Sequence, residues 1–140
     1  MQKSSNDWLW LVLIAAALWW LATHAEGGGI IPKPPFPGDG LRVVILEETA
    51  SRSPINLMTS TAIRDYLKQK NAKWRQWDDD YTAEDIAYME PEWREAYAIS
   101  KDSSKGVLPW LIVSNGKGGY NGVLPKTEAE VLSILKEFGE

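Results

Sequence analysis

The side chains that could carry chemistry in this 140-residue chain stand in the stretch EETASRSPIN, residues 47–56. Ser51 and Ser53 are hydroxyls just after a predicted strand, and Ser53-Pro54 is typical of a helix start, with a serine cap and proline in the first turn. A helix N-terminus attracts anions, so these hydroxyls stand where an anion could be held. No base stands nearby to activate either serine, because the only histidine is His24. The structural alternative is that Ser53 caps the helix and Ser51 closes the turn.

Thiol chemistry is excluded for this chain because it contains no Cys. A chain without Cys has no disulfide, no thiol nucleophile and no thiolate metal site. Serine does not ionise near neutral pH and cannot exchange a disulfide. We therefore predict no catalytic residue and no cofactor.

Acidic side chains are concentrated between residues 78 and 95, where Arg94 is the only basic residue. The eight acids are Asp78, Asp79, Asp80, Glu84, Asp85, Glu90, Glu92 and Glu95. Their spacing fits no established calcium loop, so we predict no metal site. We expect a solvated acidic face, with a surface for a basic partner as the functional alternative. The formal net charge of -4 and the absence of a Lys/Arg stripe argue against nucleic acid as a partner.

Residues 1–25 form a hydrophobic segment in which Trp8 to Thr23 is uncharged over 16 residues. As a helix those residues would span about 24 Å, against a hydrocarbon core of about 30 Å, so the flanks are needed for spanning. Tryptophans at both ends resemble interfacial belts. We expect a single-pass anchor with the following domain outside the cytoplasm. A signal peptide cleaved before Glu26, which would make the protein secreted, and a buried or oligomer-forming helix are the alternatives.

Residues 26–40 hold five Gly and four Pro, a composition that predicts a linker, and residues 41–140 then form one domain. LRVVILEE, residues 41–48, predicts a buried strand. A helix is predicted from Ser53-Pro54 to about Lys70, followed by a short strand at KWRQW, residues 73–77.

The second half of the domain continues the alternation of helices and strands. Thr82 and Asp85 predict a capping box for a helix that Pro91 kinks or divides, and SKDSSKG, residues 100–106, predicts a loop. Leu108 to Ser114 predicts a strand, with a two-residue hairpin at Asn115-Gly116 and a return strand at residues 117–120. A last helix is predicted to begin after Thr127.

The stretch GVLPWLIVSNGKGGYNG, residues 106–122, places a proline before an apolar strand, a glycine-containing hairpin and a return strand. It resembles the segment of the thioredoxin-like superfamily in which a cis proline precedes the third strand. The resemblance covers residues 41–139 and implies an α/β domain with the order β-α-β-α-β-β-α. Where that family carries Cys-x-x-Cys, this chain has Ser51 and Ser53. Some relatives of the fold, including certain glutathione transferases, use a hydroxyl there to hold a bound thiolate. The resemblance therefore leaves open, as an alternative, an enzyme that binds a glutathione-like thiol cofactor through Ser51 or Ser53. LPWLIVSNGK, residues 108–117, is also similar to uncharacterised small proteins of environmental bacteria and phages.

These patterns predict a membrane-tethered, non-catalytic thioredoxin-like protein that binds a protein or an extended peptide. The residues predicted to bind are Ser51, Arg52, Ser53, Leu108, Pro109 and Trp110. Backbone beside such a proline is left unpaired and can accept an extended segment by β-augmentation. A structural subunit of a membrane or virion assembly is a further alternative, with the Trp-rich helix as its packing element.

Overall fold

A computed structural model describes residues 28–31, 34–51, 55–56 and 59–140; for residues 28–31 and Ser51 the description covers the backbone only. The strands are β1 (Gly28–Ile31), β2 (Arg42–Glu47), β3 (Lys73–Asp78), β4 (Trp110–Ser114) and β5 (Gly119–Val123). The helices are α1 (Thr61–Gln69), α2 (Ala83–Tyr88), α3 (Pro91–Ser104) and α4 (Glu128–Gly139), and a 3-10 helix spans Thr49–Ser51.

The strands form one mixed sheet in the order β1-β5-β4-β2-β3. β2 and β3 pair in parallel, whereas β2 with β4, β4 with β5 and β5 with β1 are antiparallel. Parallel neighbours need a crossover, and α1 supplies it between β2 and β3. The predicted α/β class is thereby confirmed.

Side chains alternate between the two faces of the central strands, and each face carries a separate core cluster. The first core cluster comprises Leu41, Val43, Ile45, Ile55, Ile63, Tyr66, Leu67, Leu111, Val113, Leu124, Val131 and Leu135. The second core cluster comprises Phe36, Val44, Leu46, Trp77, Trp93, Ala96, Tyr97, Trp110 and Ile112. α1 and α4 therefore cover one face and α3 the other, as expected for a sheet that buries both sides.

The first helix begins later than the sequence suggested. Residues 55, 56, 59 and 60 are not helical, and α1 starts at Thr61. Ser60 is its N-cap, because its hydroxyl accepts a hydrogen bond from the Ile63 N–H at 3.5 Å. The prediction of a continuous helix from Ser53-Pro54 is therefore wrong. Ile55 is instead buried in the first core cluster as part of the connection that precedes the helix.

The region around Pro91 is divided as predicted, with α2 ending at Tyr88 and α3 beginning at Pro91. The predicted loop at residues 100–106 is wrong, because α3 continues through Ser104. The buried hydroxyls of Ser100 and Ser104 donate hydrogen bonds to the carbonyl groups of Ala96 and Lys101 in the same helix. Neither hydroxyl is therefore left unpaired in the interior.

The β4–β5 hairpin has a longer loop than the predicted two residues. Ser114 pairs with Gly119, which leaves residues 115–118 as the turn, and the return strand runs to Val123. Asn115 organises this turn, since its side-chain oxygen accepts hydrogen bonds from the N–H groups of Lys117 and Gly118 at 2.9 and 2.8 Å.

Part of the segment predicted as a linker belongs to the folded domain. β1 pairs with β5 through Gly28–Ile31, and Phe36 is 1% exposed within the second core cluster. Burial of an apolar ring of this size stabilises the fold. The segment is therefore part of the folded domain, although its Gly/Pro composition predicts a linker. The boundary at residue 41 is therefore corrected to lie before Phe36.

The predicted anchor, Trp8 to Thr23, lies outside the described residues. Within the ranges that the structure describes, no helix has the length and apolar character needed to cross a membrane.

Candidate functional site

The end of β2 and the start of β4 meet at one end of the sheet. Leu46 pairs with Trp110 in the antiparallel register, and the next position along that register places Glu47 beside Pro109. The Leu108–Pro109 peptide bond is cis, as predicted. Thr49–Ser51 follows β2 directly, so its 3-10 helix lies at this same end. We name Glu47, Ala50, Leu108 and Pro109 the strand-end site.

Leu108 offers two backbone hydrogen-bonding groups at this site. The Pro109 carbonyl accepts from the Leu124 N–H at 3.0 Å, and the neighbouring Val107 N–H donates to Ser104. Neither the N–H nor the C=O of half-buried Leu108 bonds to any residue that the structure describes. Backbone groups away from water are nearly always paired, so the N–H and C=O of Leu108 stand out among the described residues at this end of the sheet.

Glu47 is a buried acid at the same sheet end, with 7% of its surface exposed. Its Oε1 accepts a hydrogen bond from the Gln76 side-chain amide at 3.0 Å, whereas its buried Oε2 has no hydrogen-bond partner among the residues that the structure describes. A buried carboxylate oxygen without a donor is costly, and such groups are concentrated at functional sites. In the sequence, Glu47 is only the charged end of an apolar strand, and no pattern indicates that it is buried.

The other predicted binding residues are only partly accounted for. The backbone of Ser51 lies in the 3-10 helix, and Arg52 and Ser53 lie outside the described residues. Trp110 belongs to the second core cluster, and its indole N–H donates to Asn121 Oδ1 at 2.7 Å. Trp110 therefore supports the strand-end site from within the core and offers little surface of its own.

A second cluster, of aromatic side chains, lies where β3 passes into α2. The rings of Tyr81 and Tyr97 stack at 5.6 Å, and Trp77 meets Tyr97 edge-on at 5.5 Å. The Tyr97 hydroxyl donates to the carbonyl groups of Asp78 and Asp79, at 3.3 and 3.1 Å. Burial raises the pKa of Tyr97 above its ordinary value, and the two aspartates add to that effect.

Asp85 caps α2 in the predicted capping box. Its Oδ2 accepts from both the N–H and the hydroxyl of Thr82 at 2.8 Å, and the Thr82 hydroxyl accepts from the Asp85 N–H at 3.2 Å. The Thr82 backbone bond and then its hydroxyl lower the pKa of Asp85. The carboxylate is thus held in its charged form.

Asp78, Asp79 and Asp80 bring three carboxylates within 4.8 Å of one another. Asp79 pairs with Lys101 at 3.5 Å, and Asp78 Oδ1 accepts from the Asp80 N–H at 3.1 Å. The proximity of the three carboxylates is explained by the ion pair and the hydrogen bond of the turn that follows β3.

No protein-family model, curated protein or solved structure matches this chain. A function for this chain is therefore inferred from its own geometry.

Proposed function

We propose that this chain is a membrane-tethered, non-redox thioredoxin-like protein that binds an extended segment of a partner polypeptide. Three features support the fold assignment. β5, β4, β2 and β3 follow one another in the sheet, β2 with β3 is the parallel pair, and helices cover both faces. Pro109 precedes β4, and the connection after β2, where the family keeps its thiols, carries none.

The observation that carries the binding role is the Leu108 backbone, whose N–H and C=O are unpaired within the described part of the chain. An extended peptide that reaches the strand-end site would accept a hydrogen bond from the Leu108 N–H and donate one to its C=O, as in β-augmentation. Ala50 in the 3-10 helix after β2 and Val107 next to Leu108 are both exposed and would contact the side chains of the peptide.

The tether is proposed from Trp8 to Thr23, with the folded domain outside the cytoplasm. The full chain should then stay with membranes in high salt and in alkaline carbonate. Release of the full chain from membranes by carbonate would contradict the membrane tether but would not test the proposed binding role.

Site-specific photo-crosslinking in the full chain tests the binding role. A photoreactive amino acid replaces Val107, which is 51% exposed beside Leu108. The matched control places it at exposed Glu137 on α4, next to Phe138, whose carbonyl accepts from Asn115 at the other end of the sheet. Position 107 should give a discrete adduct in native membranes and position 137 should not. Equal adducts from both positions, or none from position 107, would contradict the proposal.

The same experiment separates the two alternatives. Glutathione that competes for the adduct at position 107 would favour a thiol-cofactor enzyme. Adducts at both positions within one large complex would favour a structural subunit.

A further inference from the structure

A pocket of about 430 Å³ opens beside α2, on the face of the sheet that carries the second core cluster. We name it the aromatic pocket, and its lining residues are Trp77, Tyr81, Asp85, Tyr88 and Met89. The volume suits one long side chain and is too small for a folded partner surface. Three aromatic rings around one carboxylate form a lining that suits a cation, because the face of each ring carries negative charge.

Two of the three rings are held in place before any ligand arrives. Trp77 is buried and contacts both Trp93 and Tyr97 edge-on, at 5.8 and 5.5 Å, and Tyr81 stacks on Tyr97. Tyr88 differs from them, because 82% of its surface is exposed. A large aromatic side chain left this open at the rim of a pocket contributes little to folding and is available to a ligand.

Acidic side chains outnumber basic ones around the aromatic pocket, where the Arg94 guanidinium donates to the Met89 carbonyl at 3.0 Å. Residues 78–93 contain seven acids and no Lys or Arg. Asp79 pairs with Lys101, and Glu92 pairs with Arg42 and Lys73. The five acids that form no ion pair with any other described residue are Asp78, Asp80, Glu84, Asp85 and Glu90. Such a field attracts basic segments and raises their association rate.

Asp85 supplies a free acceptor at the pocket itself. Oδ2 serves the Thr82 cap, whereas Oδ1 accepts no hydrogen bond from the described part of the chain. A cation in the pocket would therefore meet a carboxylate oxygen that is already fixed and charged.

We propose that the aromatic pocket binds a Lys or Arg side chain from a basic segment of a partner protein, with the cation between the rings of Tyr81 and Tyr88 and beside Asp85. This inference goes beyond the proposed function, because it needs neither Leu108 nor a membrane. β3 ends beside β2, since the Asp79 N–H donates to the Glu47 carbonyl at 2.9 Å. The pocket and the strand-end site therefore share one end of the sheet, and a single partner could contact both.

The test measures fluorescence anisotropy of a labelled peptide of four lysines flanked by Gly-Ser, with the purified full chain. A peptide of four acetyl-lysines has the same length without the charge. Tyr88→Ala and Asp85→Asn should each weaken binding of the lysine peptide about fivefold. Tyr88→Phe keeps the ring and should bind within about twofold of the wild type.

Glu137→Gln is the matched control for charge, because it removes one exposed acid from α4 on the other face of the sheet. It should leave binding unchanged. Asp85→Asn keeps an oxygen for the Thr82 N–H, and its thermal unfolding shows whether the fold persists.

The proposal would be overturned if the lysine peptide did not bind, or if the acetylated peptide bound equally well. It would also be overturned if Tyr88→Ala bound the lysine peptide as tightly as the wild type. An equal loss of affinity in Glu137→Gln and Asp85→Asn would overturn it as well. Self-association that Tyr88→Ala abolishes, without an effect on the peptide, would also overturn it in favour of a second copy as the occupant.

Discussion

The hydroxyl of Ser114 bonds to both backbone groups of Phe36. It accepts from the Phe36 N–H at 3.3 Å and donates to the Phe36 C=O at 3.2 Å. Ser114 ends the central strand β4 and is 1% exposed, so this pair fastens residues before β2 to the middle of the sheet. The ring of Phe36 then completes the second core cluster.

Phe36→Ala should lower the free energy of unfolding by about 3–5 kcal/mol, because it removes a fully buried ring and leaves a cavity. Urea unfolding measures the change. Exposed Pro37→Ala is the control and should stay within about 0.5 kcal/mol. A loss below about 1 kcal/mol in Phe36→Ala would mean that the segment before β2 contributes nothing to the core.

A chain that begins at Leu41 should be markedly less stable than one that begins at Pro34. The longer chain keeps Phe36 and its bonds to Ser114, which the shorter chain lacks. Thermal unfolding of the two chains checks this, and equal midpoints would restore residue 41 as the domain boundary.

The sequence predicted those elements of the fold that depend on interactions between residues close together in the chain. The Thr82–Asp85 capping box, the break at Pro91 and the strands β2, β3 and β4 each follow from neighbours in sequence. The sequence predicts the start of the first helix at Ser53-Pro54 and does not identify Ser60 as a cap. Ser60 is the cap that the fold uses, because Ile55 is buried in the first core cluster before the helix begins.

Features that depend on contacts between distant parts of the chain could not be predicted from the sequence. A Gly/Pro-rich composition hides the single aromatic anchor Phe36, and nothing in the pattern shows that Tyr88 is exposed while Trp110 is buried. The strand-end site was predicted in part, since the family resemblance pointed to Pro109. The burial of Glu47 depends on its place between neighbouring strands, and the sequence does not indicate that Oε1 meets Gln76 while Oε2 has no partner among the described residues.

Glu47→Gln should raise the free energy of unfolding at neutral pH by about 1 kcal/mol. The amide keeps an acceptor oxygen for the Gln76 donor but has no charge to desolvate. Exposed Glu48→Gln is the matched control and should change little. Destabilisation by more than about 1 kcal/mol in Glu47→Gln would show that the carboxylate is better paired than the structure indicates.

Asp85 should make the stability of the protein fall in acid. The hydrogen bonds from Thr82 lower the pKa of the folded carboxylate, so its contribution is complete above the unfolded pKa and is lost as pH falls through the folded one. Urea unfolding from about pH 5 to pH 2 should show a steeper loss for the wild type than for Asp85→Asn. Parallel pH profiles would contradict this.

Trp110→Phe should cost about 2 kcal/mol of stability, because it leaves the Asn121 side-chain oxygen without the indole donor. The photo-crosslink at position 107 should persist in this variant, since Trp110 is buried in the second core cluster. Loss of the adduct with stability retained would place Trp110 in the binding surface itself.

Replacing the Leu108 amide by an ester tests the central claim most directly, because it deletes one backbone donor and leaves the side chain intact. The Leu108 N–H is unpaired within the described residues, so the ester should leave the free energy of unfolding within about 0.5 kcal/mol. An ester at Leu111, which is paired on both sides in the sheet, is the control and should destabilise the fold. Affinity for the partner captured at position 107 should fall about fivefold with the Leu108 ester. Unchanged affinity would contradict binding through the Leu108 backbone.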